Sequence, residues 1–360
     1  MNIAEVIDTQ PYSLNKNEKE KLFSLLLTAL SQHHYVNCEP YRKMMSSVGY
    51  DFEKKYLHSD LPFLPVQLFK TNELYSTAKE KIVKTLSSSG TSGQKKTMVF
   101  LDKENAANQT KVLAKIVSSF IGPKRVPMII IESESVINNR NNLSASAVSI
   151  LGFSLFGSKK IYALNERMEL NVEQLQTFIE QHKGERIFIF GLTFMVYHYF
   201  CKELERLGIK LDLADAILIH GGGWKKLERE SVSAKEFKEK LNDVCSVKNV
   251  HDYYGMVEQT GSIYLECELG HLHASVFSDI IIRRAQDFSI ANVGEEGIIQ
   301  VLSLLPTSYP GHSLLTEDKG VLLGEDNCAC GRLGKYFKMT GRLKHAEIRG
   351  CSDTYEESIK

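Results

Sequence analysis

An excess of charge of either sign is missing from this sequence. Lys and Arg number 44, Asp and Glu 44, and the formal net charge over 360 residues is zero. That removes the basic surplus nucleic-acid binders usually carry. Long apolar runs are missing as well. The longest near the start, Leu22–Leu30, is too short to span a bilayer. Charged residues of both signs precede it and no small-residue cleavage site follows, which argues against a secretory signal. There is no internal repeat, and no low-complexity tract beyond one Ser/Gly-rich loop. The seven cysteines are an odd number in a large chain. Without a secretory signal they suit thiols, metal ligands or a nucleophile rather than a disulfide framework. These absences leave the expectation of a soluble cytoplasmic protein. Its 43% hydrophobic residues supply a large core.

What is present centres on Ser87–Thr97, which reads S-S-S-G-T-S-G-Q-K-K-T. Short apolar runs flank it, Lys81–Leu86 before and Met98–Leu101 after, which predicts strand–loop–strand. Gly90 and Gly93 let the backbone turn where a side chain would clash. Backbone N–H groups and the hydroxyls of Ser88, Ser89, Thr91 and Ser92 can then converge on phosphate oxygens, with Lys95 and Lys96 adding positive charge. Only two residues separate Gly90 from Gly93, so this is not a Walker A loop. Taken alone, the stretch fits a phosphate cradle and a Ser/Gly linker equally well.

Residues 1 to about 58 carry apolar positions at helical spacing, over Glu18–Leu30 and again over Cys38–Tyr50. Leu61–Lys70 contains two prolines and reads as an extended connector. Beyond Lys81 the rhythm changes. Arg125–Glu132, Glu185–Gly191 and Asp215–His220 are continuously apolar runs of the kind buried on both faces of a sheet. Helical patterns at Lys103–Phe120, Val172–His182 and Phe194–Leu207 alternate with them. This predicts an α/β fold with a largely parallel sheet. Ligands in such folds sit beyond the carboxyl ends of the strands. Two motifs fall there, Gly221-Gly222-Gly223-Trp224 and His251–Glu258. From Ile263 onward β and turn signals dominate.

In this order the motifs resemble the adenylate-forming enzymes, which activate a carboxylate with ATP as an acyl adenylate. The phosphate loop corresponds to Ser88–Lys96. The family's Tyr-Gly-x-x-Glu corresponds to Tyr254-Gly255-Met-Val-Glu258. Its Thr-Gly-Asp corresponds to Thr316-Glu317-Asp318, with Glu317 in the glycine place. Its hinge Gly-Arg corresponds to Gly341-Arg342. The resemblance covers roughly residues 60 to 351. It implies a helical region over 1–75, an AMP-binding core of parallel sheet and a smaller β-rich part over 76–340, and a hinge with a short terminal segment over 341–360. The large C-terminal domain usual in such enzymes, with its catalytic Lys, would be missing. Tyr254 would lie against adenine, with the Gly221–Gly223 turn on its other face. Glu258 would hold Mg²⁺, a hard cation suited to oxygen ligands. Asp318 would bind the ribose hydroxyls, and Arg342 the ribose or phosphate. Lys95, Lys96, Lys225 and Arg342 are the candidate cations for the adenylation step, and the sequence does not separate them. Lys95 stands where the phosphate loop usually has proline.

Within that superfamily Leu64–Lys70 and Glu347-Ile-Arg-Gly-Cys351 resemble the acyl-protein synthetases of the bacterial luminescence fatty-acid reductase complex (LuxE-type). The resemblance implies transfer of the acyl group to Cys351 as a thioester, for a partner such as a reductase or acyltransferase. The chemistry is coherent, because a thiolate is a strong nucleophile towards a mixed anhydride. Arg349 and Lys344 would favour that thiolate. The competing expectations are an acyl- or aryl-CoA ligase of the phenylacetate–CoA ligase type and a non-catalytic nucleotide-binding subunit. Phe194, Met195, Val196 and Tyr197 suit either an apolar wall for a fatty or aromatic acid or ordinary core packing.

A second constellation is soft. Cys267, His273, Cys328 and Cys330 make a complete tetrahedral Cys₃His set for structural Zn²⁺, with His271 as a competing ligand. The phenylacetate–CoA ligase group has a similar pattern.

Overall fold

The structure is a computed structural model and describes residues 3–87, 96–137, 145–224 and 230–343. Ser88, Ser89, Gly90, Thr91, Ser92, Gly93, Lys95, Lys225 and Cys351 lie outside the described residues. The rest forms two compact units. The first comprises residues 3–87, 96–116 and 255–343, the second 117–137, 145–224 and 230–254. Strands are numbered along the chain. In the first unit are β1 (Leu64–Pro65), β2 (Ile82–Ser87) and β3 (Met98–Asp102). In the second are β4 (Val126–Ser133), β5 (Gly157–Leu164), β6 (Phe188–Leu192), β7 (Ile217–Gly221) and β8 (Asn249–Tyr254). The first unit resumes with β9 (Tyr264–Glu266), β10 (Leu272–His273), β11 (Ser278–Arg283), β12 (Glu296–Ser303), β13 (Ser313–Glu325) and β14 (Lys335–Arg342).

The second unit is a parallel sheet in the order β8-β7-β6-β4-β5. Its inner strands β4, β6 and β7 are buried almost throughout, as their unbroken apolar runs predict. Helices Val172–Gln181 and Ala234–Cys245 pack against it. Each starts at a capping side chain, Asn171 accepting from Gln174 N–H and Ser233 from Glu236 N–H. Phe194, Met195, Val196 and Tyr197 are buried members of the core formed with Ile189, Leu218 and Leu241.

The first unit holds an antiparallel sheet, β11-β12-β13-β14-β10-β9, with β1 running parallel to β13 through Leu64↔Leu314 and Pro65↔Leu315. The two-proline segment is thus more than a connector. Pro65 is tolerated because β1 is a two-residue strand at an edge, and it leads into a short helix, Leu68–Thr71. β2 and β3, which flank the Ser/Gly-rich stretch in sequence, pair antiparallel. The helix Lys16–Asn37 opens on an Asn15–Glu18 capping box.

Buried polar contacts fix that helix within the unit. Lys19 Nζ lies 3.3 Å from Asp279 Oδ1, Lys335 Nζ 2.7 Å from Oδ2 and His58 Nε2 3.4 Å from Oδ2. Burial alone would raise the Asp279 pKa, but Lys19, Lys335 and His58 hold it well below the usual carboxylate value. Further along, His34 Nδ1 is 2.7 Å from Ser76 Oγ and its Nε2 3.0 Å from the Pro306 carbonyl oxygen. It stacks on His312, whose Nε2 is 2.8 Å from Ser31 Oγ. Burial pushes both imidazoles down, His312 to about 3, so both are neutral near pH 7.

Candidate active site and metal centre

In the first unit the site is built on the β13–β14 hairpin. Asp318 and Arg342 are cross-strand partners. Arg342 Nε lies 2.9 Å from Asp318 Oδ1, and a terminal guanidinium nitrogen lies 3.2 Å from Glu317 Oε2. Gly341 precedes it with φ +140°, backbone that side-chain-bearing residues rarely adopt.

Glu258 sits on the single helical turn Val257–Gln259 and is buried. Side-chain donors to main-chain carbonyls fix the turn. Its own carbonyl accepts from the Tyr309 hydroxyl at 2.9 Å, and Gln259 Nε2 donates to the Gly311 carbonyl at 2.8 Å. A side chain at Gly311 would place its Cβ 2.8 Å from the Glu258 carbonyl oxygen, so glycine is required there. Burial pushes the Glu258 carboxyl up to about 7, a hydrogen bond with Thr97 opposes this, and Asp318 and Glu317 push the same way as burial. A buried carboxyl raised by burial and by neighbouring carboxylates fits a divalent cation, whose charge would reverse the shift. Lys96 is exposed just ahead of β3.

In the second unit the strand ends gather Gly221, the last residue of β7, with Gly222 and Gly223 beyond it, and Tyr254 at the end of β8; Gly255, next in the chain, belongs to the first unit. Gly222 and Gly223 have φ +89° and +62°, and a Cβ at Gly221 would lie 2.5 Å from the Tyr253 ring. The turn therefore exists only as glycine. It is Tyr253, not singled out by sequence reasoning, that closes on Gly221. Its hydroxyl donates to Ser149 Oγ at 3.2 Å and its ring packs on Phe153. His220, neutral because burial lowers it to about 3, joins two strand ends through Nδ1, 3.0 Å from Thr193 Oγ1. Glu132 at the end of β4 is also buried and raised to about 7 by that burial. Its position at a strand terminus is the only sequence signal that would have found it.

The soft constellation lies wholly in the first unit. Ligand atoms of Cys267, His273, Cys328 and Cys330 all lie within 4.8 Å of one another. Cys267 and His273 come from β9 and its return into β10, and the two later cysteines from the tight β13–β14 connection. His273 Nε2 is 3.4 Å from Cys330 Sγ. His271 Nδ1 approaches Cys328 at 3.4 Å from outside the four-atom cluster, so the geometry favours His273 as the nitrogen donor. Three sulfurs and one imidazole nitrogen, all but Cys330 buried, suit tetrahedral Zn²⁺ with no position left open for substrate.

Solved structures that share this fold include CoA ligases. One is 2-hydroxyisobutyryl-CoA ligase, with TM-score 0.71, 13% identity, and coverage of 93% of this chain and 71% of that one. Another is a long-chain-fatty-acid-CoA ligase from Archaeoglobus fulgidus, with TM-score 0.50, 15% identity, and coverage of 74% and 52%. The fold is therefore the adenylate-forming α/β fold. The acyl-protein synthetase (LuxE) family matches residues 2–360, and this chain belongs to it; it is a ligase. Two relatives are named long-chain-fatty-acid–luciferin-component ligase. The Vibrio harveyi protein is 23% identical over 356 residues, covering 95% of this chain and 89% of the relative. The Aliivibrio fischeri protein is 22% identical over 327 residues, covering 87% and 82%.

Proposed function

We propose that this chain activates a long-chain fatty acid with ATP and carries the product on Cys351 as a thioester for a protein partner, a reductase or an acyltransferase. Membership of the acyl-protein synthetase family across residues 2–360 carries the reading. The fatty acid's carboxylate oxygen attacks the α-phosphorus and pyrophosphate leaves. The Cys351 thiolate then attacks the acyl carbonyl and AMP leaves. Residues 341–360 are the hinge and the segment that bears the thiol.

The chain's own groups divide the work. Asp318 accepts hydrogen bonds from the ribose hydroxyls. Arg342 and Lys96 set positive charge against the phosphates, with the Ser88–Gly93 loop donating main-chain N–H groups. Tyr254 and the Gly221–Gly223 turn hold the adenine. Glu258 holds Mg²⁺, which when bound supplies charge neutralisation at the phosphates. Among the described residues no helix is long and apolar enough to cross a membrane.

Cys267, His273, Cys328 and Cys330 hold Zn²⁺ in a structural role. Elemental analysis should find about one zinc per chain, and Cys267→Ser should lose it together with thermal stability. A fully stable protein with no metal would refute the assignment.

The central test uses ATP, Mg²⁺ and labelled tetradecanoic acid, with intact mass and peptide mapping. Label is expected on Cys351, and Cys351→Ser should lose it while pyrophosphate release persists. Pyrophosphate release without protein-bound acyl would instead favour a CoA ligase. Neither product, across several acids, would favour a non-catalytic nucleotide-binding subunit.

A further inference from the structure

The glycine of the Thr-Gly-Asp pattern is Glu317 in this chain, and the structure gives that exchange a partner. Glu317 is 6% exposed, so its carboxylate has to be satisfied from within the protein. The Gln67 side-chain amide donates to Glu317 Oε1, and Arg342 lies 3.2 Å from Glu317 Oε2. The Glu317 carbonyl accepts from Leu343 N–H at 2.9 Å. The same guanidinium reaches Asp318 through Nε at 2.9 Å. Gln67 is in place because β1 pairs with β13 at Leu314 and Leu315, two residues short of Glu317.

A flexible Arg side chain gains from being held, since each bond then costs less ordering. A carboxylate next to a polyanion site would repel it unless neutralised. We propose that Gln67 and Glu317 form a positioning pair that fixes the Arg342 guanidinium beside Asp318 for the nucleotide. This rests on the ATP-dependent reading above. Gln67 keeps Glu317 directed at Arg342, and Arg342 cancels the charge that Glu317 brings. Neither residue touches the nucleotide in this scheme. Both act through Arg342.

The test measures KM for ATP, KM for the fatty acid, kcat for pyrophosphate release, direct ATP binding and thermal midpoint. Glu317→Gln should raise KM for ATP about tenfold, as expected for loss of one charged hydrogen bond. Its kcat should stay within about twofold, and KM for the acid and the thermal midpoint should hold. Gln67→Leu should act in the same direction but less, and Gln67→Asn should partly restore the wild-type value. The double variant should match Glu317→Gln alone, because the two residues share one route. Additive effects, an unmoved KM for ATP, or losses that track the thermal midpoint would overturn the proposal. A wild-type chain that binds no ATP would overturn the functional reading beneath it. Normal wild-type ATP use with an unaffected Glu317→Gln would sink the positioning pair alone.

Discussion

Glu258→Gln is expected to slow pyrophosphate release by a factor on the order of 10²–10³, the usual cost of removing one group that stabilises developing charge. The amide has the shape of the carboxyl but cannot balance a cation. The fold should survive, because the turn is held through the Glu258 carbonyl and the Gln259 amide rather than the carboxylate. Equal thermal midpoints for variant and wild type would separate chemistry from folding. The wild-type pH profile is a second check. With the carboxyl raised to about 7 by burial, the rate should rise as pH climbs through neutrality, where the proton is lost. Higher Mg²⁺ should move that rise to lower pH, since a bound cation favours the ionised form. A profile indifferent to Mg²⁺, with Glu258→Gln still active, would remove Glu258 from the site.

Asp279→Ala should destabilise the protein by about 3–5 kcal/mol, the scale for breaking a buried charge cluster from one side. Lys19 would be left almost fully buried, 4% exposed, without its carboxylate. Denaturant unfolding followed by circular dichroism would measure it. Lys43→Ala, which removes an exposed pair with Glu39, should change little. A small effect at Asp279 would mean that water reaches the cluster.

The same titration has a pH signature. Asp279 is depressed in the fold, so its contribution is full above its unfolded pKa and is lost only as pH falls through the lower folded value. His34 and His312 are also depressed. The unfolded chain takes up their protons below about pH 6.5 while the fold resists, so stability should begin to fall there, well before Asp279 titrates.

The strands legible as unbroken apolar runs were those buried on both faces, whereas the partly exposed β2 and β3 were read from the short runs flanking the Ser/Gly-rich stretch. β4, β6 and β7 announce themselves as unbroken apolar runs. β5 does not. It lies at the sheet edge, with Ser158, Lys159 and Lys160 exposed, and a half-solvated strand containing consecutive lysines looks like a loop. The clustering of Cys267, Cys328 and Cys330 with a histidine was legible because Cys-x-Cys carries chemistry in its spacing, although the choice between His271 and His273 needed coordinates. Lys19 and Asp279 were invisible, being 260 positions apart, and composition carries no information about such pairing. Gln67 and Glu317 failed for the same reason. Glu317 stood out only as the residue in the glycine place, and its bond with Gln67 follows from the pairing of β1 with β13. Phe194–Tyr197 show the converse limit, since an apolar run announces burial without saying whether protein or ligand does the burying.

The hairpin that carries Asp318 and Arg342 also fixes where the chain departs for its thiol. Leu343 is pinned to the Glu317 carbonyl, and Cys351 follows eight positions later. Eight residues reach at most about 28 Å. The sulfur is therefore leashed to a post standing beside the Asp318 carboxylate. If Cys351 takes the acyl group as proposed, the hand-over should be a first-order event within one molecule. Its rate should not depend on enzyme concentration, and a mixture of Glu258→Gln and Cys351→Ser chains should complement poorly.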